Sequence, residues 1–200
     1  TSGDKFLNTS LSKIGGKGLF TKEIQQALID KRIDIAVHSM KDVETELPEK
    51  LVISTILKRE DVRDSFISRK YSSIVELPLG SIVGTSSLRR KAQLLNKRKD
   101  LKVVEFRGNV QKRLEKLDNN VAVATFLATA GLNRLGLDEL INPISTDEML
   151  PAVAQGAVGI EHLRNEKMEE LLAPLNDSVS KKRVEAERAF LRELDGSCRT

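Results

Sequence analysis

Short apolar segments alternate with amphipathic segments along this chain, and the alternation restricts the folds it can adopt. Residues 33–37, 51–57 and 121–127 are apolar runs of strand length, whereas residues 21–32 and 87–98 repeat apolar side chains at helical spacing. Strands that alternate with helices are usually joined by crossover connections. The pattern therefore predicts an α/β fold with largely parallel sheets.

Two segments predict where the chain crosses between lobes. Residues 58–64 form a charged run between two predicted strands, and residues 150–156 contain the proline and glycine of a crossing segment. Two crossings predict a hinged molecule with two α/β lobes around a cleft. A charged amphipathic helix at 179–194 then leads towards Cys198.

Further strands are predicted at 65–68, 81–84 and 102–106. Further helices are predicted at 109–117, with Asn109 as N-cap, and at 128–135.

The positive charge of the chain is concentrated in one stretch. Eleven basic and three acidic side chains between Leu88 and Lys116 give that stretch a net charge of +8, although the whole chain carries only +4. Such local basicity predicts an anionic partner at one place. Phe106 is the only aromatic residue in the stretch, so the sequence lacks the stacking surface typical of single-strand nucleic-acid binders.

The single cysteine and the lack of long apolar runs indicate the cellular compartment of the protein. A single cysteine, Cys198, excludes an intrachain disulfide and favours the reducing cytoplasm. The sequence contains no run of 18 apolar residues, so it predicts no transmembrane helix, and it has no signal-peptide pattern at its start. Because the chain begins at Thr1 and stops at Thr200, we expect it to be a segment of a longer protein.

Residues 84–90 are the strongest candidate for an anion-binding site. A short strand ends at Gly84, hydroxyl side chains follow, and a helix begins with two arginines in its first turn. A helix N-terminus attracts anions, and arginines there are unfavourable for the helix dipole unless an anion is bound. A capped helix with a solvated basic face is the alternative. Residues 106–109 repeat the arrangement after the next strand, with Arg113 one turn further, and guanidinium groups suit carboxylates.

Two segments near the start of the chain carry further candidates. Residues 13–20 form a glycine-rich loop with Lys13 and Lys17 but without the spacing of a nucleotide-binding loop. A flexible surface loop and a mobile loop that closes over an anion both remain open. Asp42 follows an apolar strand and lies beside Lys41, where it could stabilise a cation or carry a proton. A structural salt bridge or a helix cap is the alternative.

The two histidines and the cysteine are weaker candidates. We interpret His38 as a satisfied core histidine and His162 as a surface residue. Cys198 has no second cysteine or local histidine pair with which to bind a metal. Its loop position would leave the thiol accessible for covalent attachment, and an incidental cysteine is the alternative.

Six motifs, taken in order, resemble the porphobilinogen deaminase family, which is also called the hydroxymethylbilane synthase family. The likeness runs through essentially all 200 residues. The motifs are KIGGKGLF at 13–20, DIAVHSMKDV at 34–43, GTSSLRR at 84–90, FRGN at 106–109, LPAVAQGAVGI at 150–160 and DGSC at 195–198.

The resemblance implies a transferase of tetrapyrrole biosynthesis. Such an enzyme joins four porphobilinogen molecules head to tail, releases ammonia each time and yields the linear tetrapyrrole hydroxymethylbilane for haem and related pigments. The growing chain would be held on a dipyrromethane cofactor, one per chain, that a thioether attaches to Cys198. The implied protein is a cytoplasmic monomer whose partner is the small-molecule substrate, with no nucleic acid and no membrane.

The resemblance also implies roles for individual residues. Asp42 would be the catalytic carboxylate, which assists the departure of ammonia and stabilises the azafulvenium cation and the pyrrole N–H protons. No metal ligand is implied. Residues implied to bind the cofactor are Cys198, Lys41, Ser87, Arg89, Arg90, Arg107 and Gly108, and those implied to bind substrate are Arg113, Lys13, Lys17, Thr85, Ser86 and Gln155.

Three domains are implied, the first two similar to the lobes of type II periplasmic binding proteins. Domain 1 would comprise residues 1–58 and 155–174, with its N-terminal part missing, and domain 2 residues 63–150. Residues 178–200 would begin a third α/β domain with the cofactor-attachment loop. Two positions depart from the family pattern. Glu44 replaces the usual proline, and Ala154 replaces the glycine of LPAVGQGA, which would stiffen the crossing segment.

Two other function classes compete with the transferase. A noncatalytic α/β anion-binding module of the periplasmic type needs neither Asp42 nor Cys198 and normally carries an export signal. A basic nucleic-acid binder predicts strong salt dependence without any placed carboxylate chemistry.

Overall fold

The computed structural model describes residues 21–194 and Gly196, and the chain divides into two compact units. We call the described parts of residues 1–60 and 153–198 unit 1, and Asp61–Ala152 unit 2. The predictions for Lys13, Lys17 and Cys198 lie outside the described residues. The assignment of residues 178–200 to a third domain stays a prediction.

Helices and strands alternate between residues 82 and 172, as the apolar pattern predicts, whereas four strands follow one another without an α-helix between residues 35 and 84. Short 3-10 turns lie at Met40–Asp42, Asp138–Leu140 and Ala173–Leu175. In chain order the helices and strands are α1 (Lys22–Ile29), β1 (Ile35–Ser39), β2 (Leu51–Ile56), β3 (Asp64–Ser68), β4 (Ile82–Gly84), α2 (Leu88–Lys97), β5 (Lys102–Val104), α3 (Val110–Asp118), β6 (Ala124–Ala128), α4 (Thr129–Leu135), β7 (Val158–Leu163), α5 (Glu166–Leu172) and α6 (Ser178–Glu193).

Unit 1 contains a three-stranded sheet in the order β1-β7-β2. The central strand, β7, runs antiparallel to both neighbours, with His162 opposite Ile35 and opposite Val52. Helix α1 covers one part of the sheet, where Leu28 packs with Leu51. The predicted parallel pairing is therefore wrong for this sheet, because the apolar pattern carries no information about strand direction and β7 was not predicted at all.

Unit 2 contains a four-stranded sheet in the order β3-β6-β4-β5. Strand β4 runs parallel to β5 and β6, whereas β3 is antiparallel to β6. Phe126 and Leu127 are successive residues of β6 and belong to different apolar clusters. Because successive strand residues point to opposite faces, unit 2 has a core on each side of its sheet.

The two helices that follow β4 and β5 begin where the sequence predicts. The side chain of Ser87 accepts a hydrogen bond from the backbone N–H of Arg90, and that of Asn109 accepts one from Lys112 at 2.9 Å. Both are N-caps, which satisfy a backbone donor of the first helical turn. No helix of the described chain has the length and apolar character needed to cross a bilayer.

Ala154 has a left-handed backbone conformation, with a φ of +58°. The chain forms a turn at this point rather than a strand, and the expected stiffening by Ala154 stays a prediction. Left-handed backbone is strained for any residue with a Cβ by about 1–2 kcal/mol, whereas glycine adopts it readily. The methyl group of Ala154 is fully buried beside Met40, Val43 and Val184.

We expect Ala154→Gly to raise the free energy of unfolding by up to about 1 kcal/mol, because relief of the strain outweighs the loss of one buried methyl group, worth about 0.8 kcal/mol. Denaturant unfolding measures the change. Ala157→Gly is the matched control, since Ala157 is buried in the same cluster but has no left-handed backbone. That control should lower the free energy of unfolding, and an equal loss in both variants would contradict the strain at Ala154.

Candidate functional site

Two arginines and one aspartate form a buried ion cluster in unit 2. Asp64 is the first residue of β3, and its side chain is 0% exposed. Its two carboxylate oxygens lie 2.7 Å from Nη2 of Arg89 and 2.7 Å from Nη2 of Arg90. The arginine side chains are 13% and 7% exposed. We call these three residues the Asp64 cluster.

Backbone carbonyls complete the surroundings of the Asp64 cluster. Nη1 of Arg90 donates to the carbonyl of Phe126 at 2.9 Å, and Nη1 of Arg89 donates to the carbonyl of Leu150. The cluster is thereby fixed by β3, β6, α2 and the segment before the return to unit 1.

Both arginines retain one buried donor without a partner. The Nε atoms of Arg89 and Arg90 are inaccessible to solvent and make no hydrogen bond. A buried polar group without a partner is destabilising by about 1–3 kcal/mol, and native structures contain few of them. An acceptor brought to these two Nε atoms would therefore stabilise the cluster.

Asp64 should make the stability of the protein depend on pH. Burial raises the pKa of Asp64, but the charges and hydrogen bonds of Arg90 and Arg89 outweigh burial and hold the pKa below its ordinary value of 3.8. The stabilisation from such a carboxylate is complete above its unfolded pKa and is lost as the pH falls through the lower folded pKa. We expect Asp64→Asn to lower the free energy of unfolding by about 3–5 kcal/mol near neutral pH, and by progressively less below about pH 4.

Denaturant unfolding between about pH 3 and pH 7 tests this prediction. The control is Asp118→Asn, which removes an exposed ion pair with Arg69 in the same unit. That pair should contribute less than about 1 kcal/mol at every pH. If the free energies of unfolding of Asp64→Asn and the wild type differed by the same amount at every pH, the expected titration of Asp64 would be contradicted.

The two predicted anion-binding segments are joined side by side. Strands β4 and β5 are parallel, so residues 84–90 and 106–109 follow the same edge of the sheet. The hydroxyl of Ser86 accepts a hydrogen bond from the backbone N–H of Phe106 at 2.9 Å. The hydroxyl of Thr85 accepts one from the N–H of Ser87 at 3.2 Å. Residues 84–90 and 106–109 therefore lie at neighbouring strand ends.

The second segment and the helix after it supply the other two arginines predicted to bind an anion. Nε of Arg107 lies 3.3 Å from a carboxylate oxygen of Glu105, and Nε of Arg113 donates to the carbonyl of Gly108 at 2.9 Å. Gly108 has a φ of +120°, which a residue with a Cβ rarely adopts. Lys116 donates to the carbonyl of Arg107, which fixes the turn further.

Asp42 lies in unit 1, in the 3-10 turn Met40–Asp42 that directly follows β1. Met40 is buried, and its N–H donates to the carbonyl of Ala157 at 3.0 Å, so the turn is anchored to the core. The side chain of Asp42 itself is exposed. Nζ of Lys41 lies 3.5 Å from Oε1 of the buried Gln155, which brings two of the predicted binding residues together.

Helix α6 holds the segment after Asp42 through Arg188, which sequence reasoning missed. Its guanidinium donates to the carbonyls of Val43 at 3.0 Å, Glu44 at 2.5 Å and Thr45 at 3.3 Å. Burial lowers the pKa of Arg188, and the charge of Arg192 adds to that effect. The departure from the family pattern at Glu44 therefore lies in a segment whose backbone carbonyls accept hydrogen bonds from Arg188 of α6.

A second α6 residue, Glu187, binds both segments by which the chain leaves and re-enters unit 1. Its carboxylate pairs with Arg59 at 2.5 Å and 2.9 Å and accepts from the N–H of Ala154 at 2.7 Å. Arg59 also donates to the carbonyl of Gln155. The signal that could have found these residues is helical spacing, since positions 187 and 188 follow the buried Val184 by one turn.

The two histidines both lie in the interior of unit 1. His38 contacts Glu161 at 2.8 Å, and Glu161 accepts from Gln25 at 2.9 Å, so the prediction of a satisfied core histidine is confirmed. The prediction that His162 lies on the surface is wrong. Its side chain is fully buried and contacts the hydroxyl of Ser54 at 2.7 Å, because position 162 belongs to the unpredicted central strand β7.

The structure thus brings the predicted residues together in two groups. Unit 1 places Lys41 beside Gln155 and Asp42 next in the chain. No group of three metal-ligating side chains suited to a metal ion occurs in the part of the chain that the structure describes. The group in unit 2 comprises Thr85, Ser86, Ser87, Arg89, Arg90, Arg107, Gly108 and Arg113.

Solved structures of low sequence identity share this fold. The lipoprotein Tp32 from Treponema pallidum is 13% identical and has a TM-score of 0.52, covering 86% of this chain and 79% of its own. A putative methionine-binding lipoprotein from Bacillus subtilis is 17% identical, with a TM-score of 0.51, covering 80% of this chain and 77% of its own. A periplasmic substrate-binding protein of an ABC transporter from Coxiella burnetii is 15% identical, with a TM-score of 0.50, covering 86% and 81%. The predicted α/β fold of the periplasmic-binding-protein type is confirmed.

Proteins of much higher identity show the family. Residues 1–170 match the family described as porphobilinogen deaminase, dipyromethane cofactor binding domain. The porphobilinogen deaminase of Paracoccus denitrificans is 58% identical over 202 residues, which cover 100% of this chain and 64% of that protein. The chloroplastic porphobilinogen deaminase of Pisum sativum is 57% identical over 203 residues, with 100% and 55% coverage. The chain thus spans less than two thirds of these relatives, and it belongs to the porphobilinogen deaminase family.

Proposed function

We propose that the whole protein condenses four porphobilinogen molecules into the linear tetrapyrrole hydroxymethylbilane, releasing ammonia at each step. Family membership supports this reaction. The observation that carries it is the Asp64 cluster, which presents two buried N–H donors without partners at the edge of the sheet where residues 84–90 and 106–109 meet. Each pyrrole of substrate and product bears two carboxylates, so the reaction requires many placed cations.

The residues of unit 2 fit the carboxylates of a dipyrromethane cofactor. The unpartnered Nε atoms of Arg89 and Arg90 are the donors that such carboxylates need. The cofactor, when bound, supplies the pyrrole carbon from which the chain grows, attached by a thioether to Cys198. The residues that we propose to hold it are Ser87, Arg89, Arg90, Arg107 and Gly108 in unit 2, and Lys41 in unit 1.

Substrate binding is proposed for the remaining polar residues. The hydroxyls of Thr85 and Ser86 accept backbone hydrogen bonds and can each donate one more, to a carboxylate oxygen. Arg113 lies one turn into α3, and its guanidinium is held at the carbonyl of Gly108. Gln155 in unit 1 and, outside the described residues, Lys13 and Lys17 complete the proposed set.

Asp42 is proposed as the catalytic carboxylate. The aminomethyl C–N bond of porphobilinogen breaks, ammonia leaves with the electron pair, and positive charge develops on the pyrrole. An adjacent carboxylate stabilises that charge and holds the pyrrole N–H. When the new C–C bond has formed, the attacked carbon loses its proton, which a carboxylate can accept. The exposed position of Asp42 at the end of β1 suits contact with substrate.

Intact mass spectrometry of the purified full-length protein tests the proposal. We expect one covalent dipyrromethane per chain, further increments of one pyrrole on addition of porphobilinogen, and release of ammonia. Replacing Cys198 with serine should remove the covalent group. Full-length protein that stays unmodified and releases no ammonia would contradict the proposed function.

The same proposal includes a cytoplasmic monomer that binds neither nucleic acid nor membranes. The single cysteine and the placement of the arginines around a buried carboxylate support it. A noncatalytic anion-binding module is not favoured, because relatives with 57% and 58% identity over this whole chain are named as deaminases. Size-exclusion chromatography with light scattering measures the oligomeric state, and a stable dimer would contradict the monomer.

A further inference from the structure

Asp64 is the strongest candidate for an unassigned role, because it contacts two proposed cofactor-binding residues without belonging to either motif. It lies at the end of the charged run 58–64 and is fully buried. Each of its oxygens contacts a different arginine at the same distance, 2.7 Å. No other carboxylate in the part of the chain that the structure describes forms an ion pair with Arg89 or Arg90.

Helix geometry explains why these arginines need a common partner. Arg89 and Arg90 are consecutive residues in the first turn of α2, and consecutive helical side chains diverge by about 100°. Without a partner, the two guanidinium groups would point to different surroundings. The carboxylate of Asp64 receives one nitrogen from each, so it draws two divergent side chains to one place.

Charge gives a second argument. Two buried guanidinium groups repel each other, and burying a charge without a partner is strongly unfavourable. Asp64 reduces the charge of the cluster from +2 to +1 and leaves the buried Nε of each arginine unpartnered. A cluster with one net positive charge and an unpartnered Nε on each arginine matches a single carboxylate group, which has two acceptor oxygens.

We propose that Asp64 is a positioning residue, which gathers Arg89 and Arg90 so that the pair binds one pyrrole carboxylate jointly rather than two separately. This proposal rests on the proposed function, since it takes the anion to be a carboxylate of the pyrrole chain. Asp64 acts through the arginines and does not touch the substrate. The competing interpretation is that Asp64 only stabilises unit 2, or that it competes with the ligand for the arginines.

A double-mutant cycle in the full-length protein separates these interpretations. The variants are Asp64→Asn, Arg89→Gln and the double variant. Leu117→Val is a core control of the same unit, in an apolar cluster that contains neither Asp64 nor the two arginines. We expect Asp64→Asn to raise KM for porphobilinogen roughly tenfold and to lower the fraction of chains that carry the cofactor, while kcat per loaded chain changes less than about threefold. The double variant should raise KM no more than Arg89→Gln alone.

Additive effects on KM, or a lowered Tm with unchanged KM as expected for Leu117→Val, would overturn the proposal. Tighter binding of porphobilinogen by Asp64→Asn would also overturn it, because Asp64 would then compete with the ligand for the two arginines.

Calorimetric titration with citrate, a tricarboxylate, provides a readout that needs no turnover. We expect citrate to bind the wild-type protein and to bind Asp64→Asn roughly tenfold more weakly. Citrate binding that Asp64→Asn leaves unchanged, or a wild-type protein that binds no citrate, would overturn the positioning role. The two proposals can fail separately. A wild-type protein that carries no dipyrromethane and has no activity would contradict the proposed function. If it still bound citrate more tightly than Asp64→Asn does, Asp64 would remain the residue that gathers the arginine pair.

Discussion

Replacing Asp42 with asparagine is expected to lower kcat of the full-length protein by about three orders of magnitude, with a smaller effect on KM. Asparagine preserves the size of the side chain and its position after β1, but it can neither carry negative charge nor accept a proton. Both functions belong to the transition state, and the loss of such a group typically lowers the rate by about 10²–10⁴-fold. Stopped-flow measurement of ammonia release, or mass spectrometry of pyrrole increments, measures the change.

Asp34→Asn is the matched control for Asp42→Asn. Asp34 is also an exposed aspartate of unit 1 and lies directly before β1, whereas Asp42 lies in the turn after it. Both substitutions remove one negative charge from the same unit, but only the second should affect turnover. Near-normal turnover in Asp42→Asn, or an equal loss in Asp34→Asn, would contradict the catalytic assignment.

Gly84→Ala is expected to lower the free energy of unfolding by about 3 kcal/mol, because no space exists for the added methyl group. A Cβ at position 84 would lie 2.3 Å from Cδ2 of Phe106. The ring of Phe106 is 0% exposed and packs with Leu117 and Leu132, so it cannot move aside without disturbing the core of unit 2. Since Arg107 follows Phe106, the same change should displace a proposed cofactor-binding residue and reduce cofactor loading.

Gly131→Ala provides the opposite outcome in the same unit. Gly131 lies inside α4, and a Cβ there would meet no atom within 4 Å. Alanine favours helix over glycine by about 1 kcal/mol, so this variant should gain stability. Denaturant unfolding of both variants and intact mass of both proteins make the comparison. A Gly84→Ala protein as stable and as fully loaded as Gly131→Ala would show that the contact with Phe106 does not constrain the strand end.

Local signals made the beginnings of the helices and the anion-binding motifs predictable. Asn109 caps α3 through a contact with Lys112, three positions away, so a short window of sequence contains both partners. The arginines of residues 84–90 were recognised for the same reason, since hydroxyls, arginines and helix start lie within seven consecutive positions.

Distant partners explain what the sequence did not reveal. Strand β7 contains Glu161 and His162, which suggest an exposed segment until their partners are known. Glu161 contacts His38 over 123 positions, and His162 contacts Ser54 over 108. Asp64 was likewise concealed within a charged run, because the arginines that bury its charge lie 25 and 26 positions away. Pairing over such distances depends on the fold and leaves no periodic pattern in the chain.

The position of β7 between β1 and β2 has a consequence for synthesis on the ribosome. Two strands of the described sheet of unit 1 emerge early, but the strand that joins them emerges only after all of unit 2. At roughly 5–20 residues per second, 123 positions between His38 and Glu161 amount to a delay on the order of ten seconds. Unit 2 can fold during that interval, whereas β1 and β2 remain without β7, the strand that pairs with both. Unpaired strand edges can associate with other chains, so β1 and β2 of the nascent protein are exposed to such association until β7 emerges.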